Sequence, residues 1–163
     1  MFNLAATRYT LRDRSLDIYI SGCKGDGGVH CRNCHNPQLW DENFGRPWDT
    51  FKEQIAEAIE KSGDLIQSIR IYGGEPLEKS LDDLYEFLDF LTGFKKPLWL
   101  FTRFELENVP QGLLDYLEYI KCGPYDETQK GEVTYYGVIL STKNQRIYKS
   151  GVDFSKWRDL KLG

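Results

Sequence analysis

The sequence predicts an α/β fold with a mostly parallel sheet, built as a single domain over residues 1–163. Short apolar runs alternate with segments of helical spacing, which is the order expected of strand–helix–strand units. The chain has 163 residues, enough to bury one sizeable core, and its 40% hydrophobic and 28% charged residues are ordinary for a globular protein.

In the first half of the chain, a strand is predicted at 16–20 and leads into a loop rich in glycine and cysteine. A helix follows, with Asp49 or Thr50 as its cap and Gly63 as its stop. A second strand is predicted at 65–72. These elements make up the first strand–helix–strand unit.

In the second half, a helix is predicted to open at Ser80, which with Asp83 resembles a capping box, and to end at Gly93. Its apolar face is formed by leucines at helical spacing, namely Leu81, Leu84, Leu88 and Leu91. The remaining predicted elements are strands at 97–102, 119–122, 133–140 and 146–149, and a short helix at 110–116. The alternation therefore continues through most of the chain.

Four loops with distinctive residues each follow a predicted strand. They are the cysteine loop, the Gly-Gly-Glu-Pro segment at 73–76, the turn at 102–103 and the segment 122–124. In parallel sheets, ligand sites lie beyond the carboxyl ends of the strands. We therefore expect these loops to meet at one edge of the sheet.

Charge and hydropathy exclude several classes of protein. The net charge is −4 and no basic run is present, which argues against a nucleic-acid or acidic-membrane partner. The N-terminal segment has no apolar core typical of a signal peptide, and no window approaches the roughly 20 apolar residues of a membrane helix. A cytoplasmic protein is the expectation.

Three of the four cysteines lie close together, with Cys23, Cys31 and Cys34 in the pattern C-x7-C-x2-C. Three thiolates on a loop can hold one face of an iron–sulfur cubane and leave one iron open. Structural zinc is an equal alternative from the cysteines alone, because His30 or His35 would complete a Cys3His set. A disulfide with a spare thiol is the weakest interpretation in a reducing compartment.

Two residues have simpler explanations than ligation. Cys122 stands far from the other cysteines and is expected to be a small buried side chain in a strand. His35 follows the third cysteine and could pack or cap within its loop.

The Gly73-Gly74-Glu75-Pro76 segment combines features of a ligand-binding turn. Two glycines let backbone groups approach a ligand closely, and proline restricts the exit of the chain. Glu75 adds an acceptor near the strand end. Because two glycines after a strand also form ordinary turns, the segment alone is a moderate indication.

Together these motifs resemble the radical S-adenosylmethionine (SAM) superfamily, and more narrowly the activating enzymes of anaerobic (class III) ribonucleotide reductase. The resemblance covers most of the chain. It is carried by Ser21-Gly22-Cys23, Cys34-His35-Asn36-Pro37, Gly73-Gly74-Glu75-Pro76-Leu77, Cys122-Gly123-Pro124-Tyr125 and Lys143-Asn144-Gln145-Arg146-Ile147-Tyr148. The final segment is the one most particular to the activating enzymes.

The sequence departs from the family pattern in two places. Seven residues separate Cys23 from Cys31, where the family has three, but the extra residues are mostly glycine and polar and can loop out at little entropic cost. Arg103 stands in a Thr-Arg-Phe segment where the family tends to have Thr-Gly-Tyr. Its side chain either reaches toward the SAM carboxylate or is solvated, and the solvated state is slightly favoured.

The resemblance implies a small partial (β/α) barrel of the radical SAM type and two cofactors, a [4Fe–4S] cluster and SAM. It implies cluster ligation by Cys23, Cys31 and Cys34. The SAM-binding residues it implies are His35, Asn36, Gly73, Gly74, Glu75, Pro76, Thr102 and Arg103. No catalytic residue is implied beyond the cluster and SAM.

The implied activity is that of an oxidoreductase. One electron from the reduced cluster cleaves SAM, and the resulting 5′-deoxyadenosyl radical abstracts a glycine α-hydrogen to install a glycyl radical on the anaerobic reductase. The implied partners are that glycyl-radical subunit and a one-electron reductant such as flavodoxin or ferredoxin.

Three questions stay open from the sequence. The chain could be another small radical SAM enzyme, such as a 7-carboxy-7-deazaguanine synthase-like protein. It could instead be a non-enzymatic Cys3His zinc module. The segment Asn144-Gln145-Arg146 is either a polar turn before an edge strand or a contact with SAM or the partner's glycine loop.

Overall fold

The computed structural model describes residues 1–25 and 37–156. Within them the strands are β1 (Asn3–Thr10), β2 (Ser15–Ile20), β3 (Arg46–Pro47), β4 (Ser68–Gly73), β5 (Leu98–Phe101), β6 (Tyr119–Cys122), β7 (Lys130–Tyr135), β8 (Val138–Thr142) and β9 (Arg146–Lys149). The α-helices are α1 (Lys52–Ser62), α2 (Leu81–Thr92) and α3 (Gln111–Leu114). Short 3-10 helices include Pro37–Trp40, Trp48–Phe51 and Pro76–Glu78.

In the described part of the chain, seven strands form one sheet in the order β3-β1-β2-β4-β5-β6-β9. The central strands β2, β4, β5 and β6 pair with one another in parallel. Strands β1, β3 and β9 pair antiparallel at the two sides. The sheet is thus mixed, with a parallel centre where helical crossovers connect the strands.

Several strands differ from the sequence prediction. The two-residue strand β3 is not predicted, and β4 begins at Ser68, three residues after the predicted start. Strand β1 was not predicted, because its charged and exposed residues hide the alternation, and its pairing with β2 decides its conformation. The predicted strand at 133–140 is wrong as a single element. The chain reverses at Tyr136 and Gly137, whose φ values of 51° and 81° suit a tight hairpin turn between β7 and β8.

The helix caps also differ from the prediction. Helix α1 begins after a 3-10 turn, and the Thr50 hydroxyl donates to the Pro47 carbonyl oxygen (2.6 Å), so neither predicted cap forms. No capping bond is made by the Ser80 side chain. Asp83 instead accepts hydrogen bonds from the Trp48 indole (2.8 Å) and from the backbone of Phe2 (2.7 Å). The two predicted helix stops, glycines 63 and 93, are confirmed.

One face of the sheet and the helices enclose the main hydrophobic core. Alternate residues of the central strands are fully or almost fully buried there, among them Ile18, Ile71 and Leu100. The buried face of α2 consists of Leu84, Phe87, Leu88 and Leu91. Leu81 was predicted on this face, but it is 40% exposed because it lies in the first turn, at the edge of the contact.

The opposite face of the sheet is lined by aromatic rings. Tyr72 stacks on Phe101 with ring centroids 4.1 Å apart, and Trp99 stacks on Tyr119 at 4.0 Å. The hairpin of β7 and β8 packs over part of this row through a second, smaller apolar cluster. Among the described residues, no helix is long and apolar enough to cross a membrane.

Candidate functional site

The carboxyl ends of the parallel strands bring the predicted loops together. Ile20 at the end of β2 pairs with Gly73 at the end of β4, and Phe101 at the end of β5 pairs with Lys121 on β6. Beyond these pairs, the Gly123 N–H donates to the Phe104 carbonyl (3.1 Å). The expectation that these loops meet at one edge is confirmed for the described residues.

The Gly-Gly-Glu-Pro turn lies directly against the start of the cysteine loop. The N–H of Gly74 donates to the Ile20 carbonyl (2.6 Å), and the N–H of Glu75 donates to the Gly22 carbonyl (2.7 Å). A β-carbon at residue 74 would overlap the backbone of Gly22, and Gly73 adopts a φ of +114°. Both glycines are therefore required by geometry.

The chain returning from the cysteine loop packs on the other side of the same backbone. The Gly22 N–H donates to the Leu39 carbonyl (2.7 Å), and the Cys23 N–H donates to the Trp40 carbonyl (3.3 Å). Residue 22 thus sits between the Gly-Gly-Glu-Pro turn and the 3-10 helix Pro37–Trp40. This arrangement holds Cys23 at the strand edge.

Cys23 is partly buried, and it forms no disulfide with the other described cysteine. Burial raises the pKa of its thiol, the charges of Glu78 and Glu75 add to that rise, and a hydrogen bond with the backbone of Gly25 opposes it. Binding a metal at this thiol therefore has to release a proton.

The other predicted residues of the cysteine loop lie outside the described residues. They are Cys31, Cys34, His35 and Asn36, together with the alternative zinc ligand His30. Of the predicted cluster ligands, the described part of the chain contains Cys23.

Glu75 is buried, with 1% of its surface exposed, and its carboxylate bonds to three donors of the chain. One oxygen accepts from the Leu77 N–H (2.9 Å) and the Thr102 hydroxyl (2.7 Å), and the other accepts from the Arg103 N–H (2.7 Å). Burial raises the pKa of Glu75, while these hydrogen bonds act in the opposite direction. The side chain therefore ties the ends of β4 and β5 together.

Thr102 and Arg103 are held by the same network. The Thr102 hydroxyl donates to Glu75 and accepts from the Phe104 N–H (3.1 Å). The guanidinium of Arg103 forms an ion pair with Glu78 (2.6 Å), and the two side chains are 20% and 11% exposed. The expectation that Arg103 is solvated is therefore wrong, because a carboxylate from the turn after β4 pairs with it.

Cys122 is buried in the main core, with 1% exposed, as the sequence predicts. Desolvation raises the pKa of its thiol to about 12, because the surrounding core disfavours the charged thiolate. Its side chain behaves as a small apolar residue.

The Asn144-Gln145-Arg146 segment makes bonds within its own turn and to neighbouring loops. Asn144 donates to the Pro124 carbonyl (2.8 Å), Gln145 accepts from the Thr142 N–H (3.2 Å), and Arg146 pairs with Asp153 (2.9 Å). These contacts fit a polar turn. Because Asn144 Oδ1 is buried without a hydrogen-bond partner among the described residues, a contact with SAM or the partner stays an alternative.

A cleft of about 310 Å³ opens beside Cys23. Its lining combines residues from the cysteine loop, from the turn after the 3-10 helix and from the end of the Gly-Gly-Glu-Pro turn: Gly22, Cys23, Lys24, Trp40, Asp41, Glu42, Asn43, Glu78 and Lys79. The sequence prediction did not include Glu78 and Lys79. Their position three and four residues after Glu75, in the turn that leaves the strand edge, is the feature that could have indicated them.

The described residues fit an iron–sulfur cluster beside Cys23. A thiol is the ligand type that such clusters require. Two residues earlier, the Ser21 hydroxyl is fully buried and has no hydrogen-bond partner among the described residues. A buried donor of this kind is normally satisfied, so Ser21 is available to a group that binds next to it.

The comparisons with known proteins agree with this geometry. The model of the family described as the 4Fe-4S single cluster domain matches residues 13–148, which span β2, the cysteine loop and all later strands up to β9. None of the curated proteins and none of the solved structures matches the chain. Since the family model covers well over half of the sequence, the chain belongs to the 4Fe-4S single cluster domain family.

Proposed function

We propose that this protein is a radical SAM activating enzyme that installs a glycyl radical on an anaerobic ribonucleotide reductase. The proposal includes one radical SAM domain over residues 1–163, a partial-barrel architecture and a cytoplasmic location. Its proposed partners are the reductase's glycyl-radical subunit and a flavodoxin or ferredoxin as electron donor. The iron–sulfur family supports the cluster, and the sequence motifs support the rest.

One observation carries the proposal furthest. The Gly-Gly-Glu-Pro turn is bonded to the backbone of Gly22, the neighbour of the cluster ligand Cys23. A ligand that chelates an open iron of a cluster on Cys23 would therefore lie next to the Gly-Gly-Glu-Pro turn. This placement supports a bifunctional ligand such as SAM, which would contact the cluster and the turn together.

In the proposed site, Cys23, Cys31 and Cys34 hold the cluster and leave one iron for the amino and carboxylate groups of SAM. The cluster supplies the electron that cleaves SAM. The residues proposed to contact SAM directly, as the resemblance implies, are His35, Asn36, Gly73, Gly74 and Pro76.

Glu75 and Thr102 are proposed to act mainly by holding the loops of the site in place. Their polar atoms bond to each other and to the backbone at residues 77, 103 and 104, so they hold the two strand ends in register. Arg103 pairs with Glu78 through Nη2, and its other N–H groups are proposed to bind the SAM carboxylate. A preorganised site of this kind loses little entropy when the ligand binds.

The test begins with anaerobic reconstitution and analysis of iron and sulfide. The reduced protein is then incubated with SAM, and 5′-deoxyadenosine and methionine are measured. Addition of an anaerobic reductase should give a glycyl radical signal in electron paramagnetic resonance. Cys31→Ser is the matched control and should abolish all three results.

The outcome separates the alternatives. SAM cleavage without any glycyl radical on the reductase would contradict the activase and leave another radical SAM enzyme, such as a deazaguanine synthase-like protein. A colourless protein with zinc and no sulfide would exclude radical chemistry, and the family match already weighs against that result.

A further inference from the structure

The ammonium of Lys79 lies beside Gly22, the residue before the proposed cluster ligand Cys23. Nζ of Lys79 is the atom nearest to the position that a β-carbon on Gly22 would occupy, and such a carbon would overlap it. The residue itself is fixed at the end of the 3-10 helix Pro76–Glu78, where its N–H donates to the Pro76 carbonyl (3.1 Å). The turn that positions Glu75 therefore also positions the Lys79 ammonium beside the backbone of Gly22.

The charges of Glu42 and Glu78 interact with this cation, but among the described residues neither carboxylate forms an ion pair with it. Glu78 accepts from the Lys24 N–H (2.9 Å) and pairs with Arg103, and Glu75 uses both oxygens within the chain. Among the described residues, Lys79 forms no hydrogen bond or ion pair through its side chain. Its side chain is partly buried, so water screens its charge less than it would at the surface.

Glu42 is the remaining acidic neighbour. Its Cβ lies 2.9 Å from the position that a β-carbon on Gly22 would occupy, and its charge interacts with that of Lys79. Because Glu42 is exposed, its carboxylate is hydrated, and it offsets the ammonium only in part.

We propose that Lys79 is a positioning residue that raises the reduction potential of the cluster bound through Cys23. The inference rests on the cluster of the proposed function, and it requires neither SAM nor the partner reductase. When the cluster takes up one electron from a low-potential carrier, no bond forms or breaks and its net charge becomes more negative by one. A nearby positive charge stabilises that reduced form more than the oxidised form.

The test measures the midpoint potential of the reconstituted cluster by redox titration, without SAM. Lys79→Met should shift the potential to more negative values, and Lys79→Arg should restore most of the wild-type value because it keeps the charge. Lys61→Gln removes a charge from the exposed surface of α1 and should leave the potential unchanged. An unchanged potential in Lys79→Met, with an intact cluster, would overturn the proposal.

A second variant keeps the test decisive if Lys79→Met fails to assemble its cluster. Lys79→Gln removes the charge but keeps a polar side chain, and it should likewise shift the potential to more negative values. An unchanged potential in Lys79→Gln, with an intact cluster, would also overturn the proposal.

The two proposals fail in different ways. If the potential shifts in Lys79→Met but no glycyl radical forms on the reductase, the role of Lys79 stands and the activating-enzyme function is contradicted. If the glycyl radical forms but Lys79→Met keeps the wild-type potential, the activating-enzyme function stands and the role of Lys79 is contradicted.

Discussion

The carboxylate of Glu75 accepts a hydrogen bond from the backbone N–H of Arg103, 2.7 Å away and 28 residues further along the chain. This bond crosses from the turn after β4 to the turn after β5, two strands that pair in parallel. It connects the Gly-Gly-Glu-Pro turn, which touches Gly22, with the loops at the ends of the next strands. Glu75, which the sequence predicts as a ligand contact, thus links the loops that follow β4 and β5.

Replacing Glu75 tests how much this link between the two loops contributes to stability. Glu75→Ala leaves the donors of Leu77, Thr102 and Arg103 without their acceptor in a buried place, which is expected to cost on the order of 3 kcal/mol of unfolding free energy. The stability of Glu75→Gln should be intermediate, because its side-chain NH2 replaces one acceptor oxygen and must face one of the backbone N–H donors. Urea denaturation of the cluster-free protein measures both. The exposed Glu107→Gln is the control, and equal stability of Glu75→Ala and wild type would contradict the role.

Gly74 is expected to tolerate no side chain. In Gly74→Ala the new methyl overlaps the backbone of Gly22, and relief of such crowding typically costs about 1–3 kcal/mol. Because Gly22 precedes Cys23, iron content after reconstitution should fall as well. Gly93→Ala is the matched control, since its φ of −59° suits alanine and its closest contact is 3.3 Å. Similar stability and iron content in both variants would show that the close approach is not required.

The iron content of reconstituted variants should distinguish Cys122 from the proposed cluster ligands. Cys122→Ser places a hydroxyl in the core and is expected to lower stability by about 1–2 kcal/mol, but the iron bound per folded molecule should stay the same. Cys23→Ser and Cys31→Ser should each lose the cluster. Iron and sulfide analysis, together with the visible absorption of the cluster, measures this. Equal loss of iron in all three variants would overturn the ligand assignment.

Asp17 should make the stability depend on pH in the acid range. Desolvation raises its pKa above the usual 3.8, while hydrogen bonds from Thr10 and Ser15 and the charge of Arg70 oppose the rise. A carboxyl whose folded pKa is raised contributes stability below its unfolded pKa, and that contribution disappears as pH increases through the folded pKa. Asp17→Asn should therefore flatten the stability profile just above pH 3.8.

The measurement is the free energy of unfolding of cluster-free protein at several pH values between about 3 and 7. Asp64→Asn, at an exposed position, controls for the substitution itself. A profile of Asp17→Asn that is as steep as that of the wild type would rule out this contribution.

Part of the site followed directly from local sequence. The Gly-Gly-Glu-Pro turn, the turn at residue 102 and the segment at Cys122 each sit where a predicted parallel strand ends, so their meeting at one edge needed no contact information. The prediction failed where the pattern was ambiguous. Strand β1 lacked a clear alternation, and the hairpin at Tyr136 lacked the usual asparagine or aspartate before its glycine.

By itself, the sequence indicated an iron–sulfur protein and the edge of the sheet where its candidate site lies. Cysteine spacing and strand-end glycines depend on residues close along the chain, and the family match bears out the iron–sulfur assignment. The tertiary structure alone decided the electrostatics of the site: Glu75 bonded across to Arg103, Arg103 paired with Glu78, and Lys79 left beside Gly22. The physical reason is that such pairs form between loops far apart in sequence, whose separation is set only when the parallel strands align.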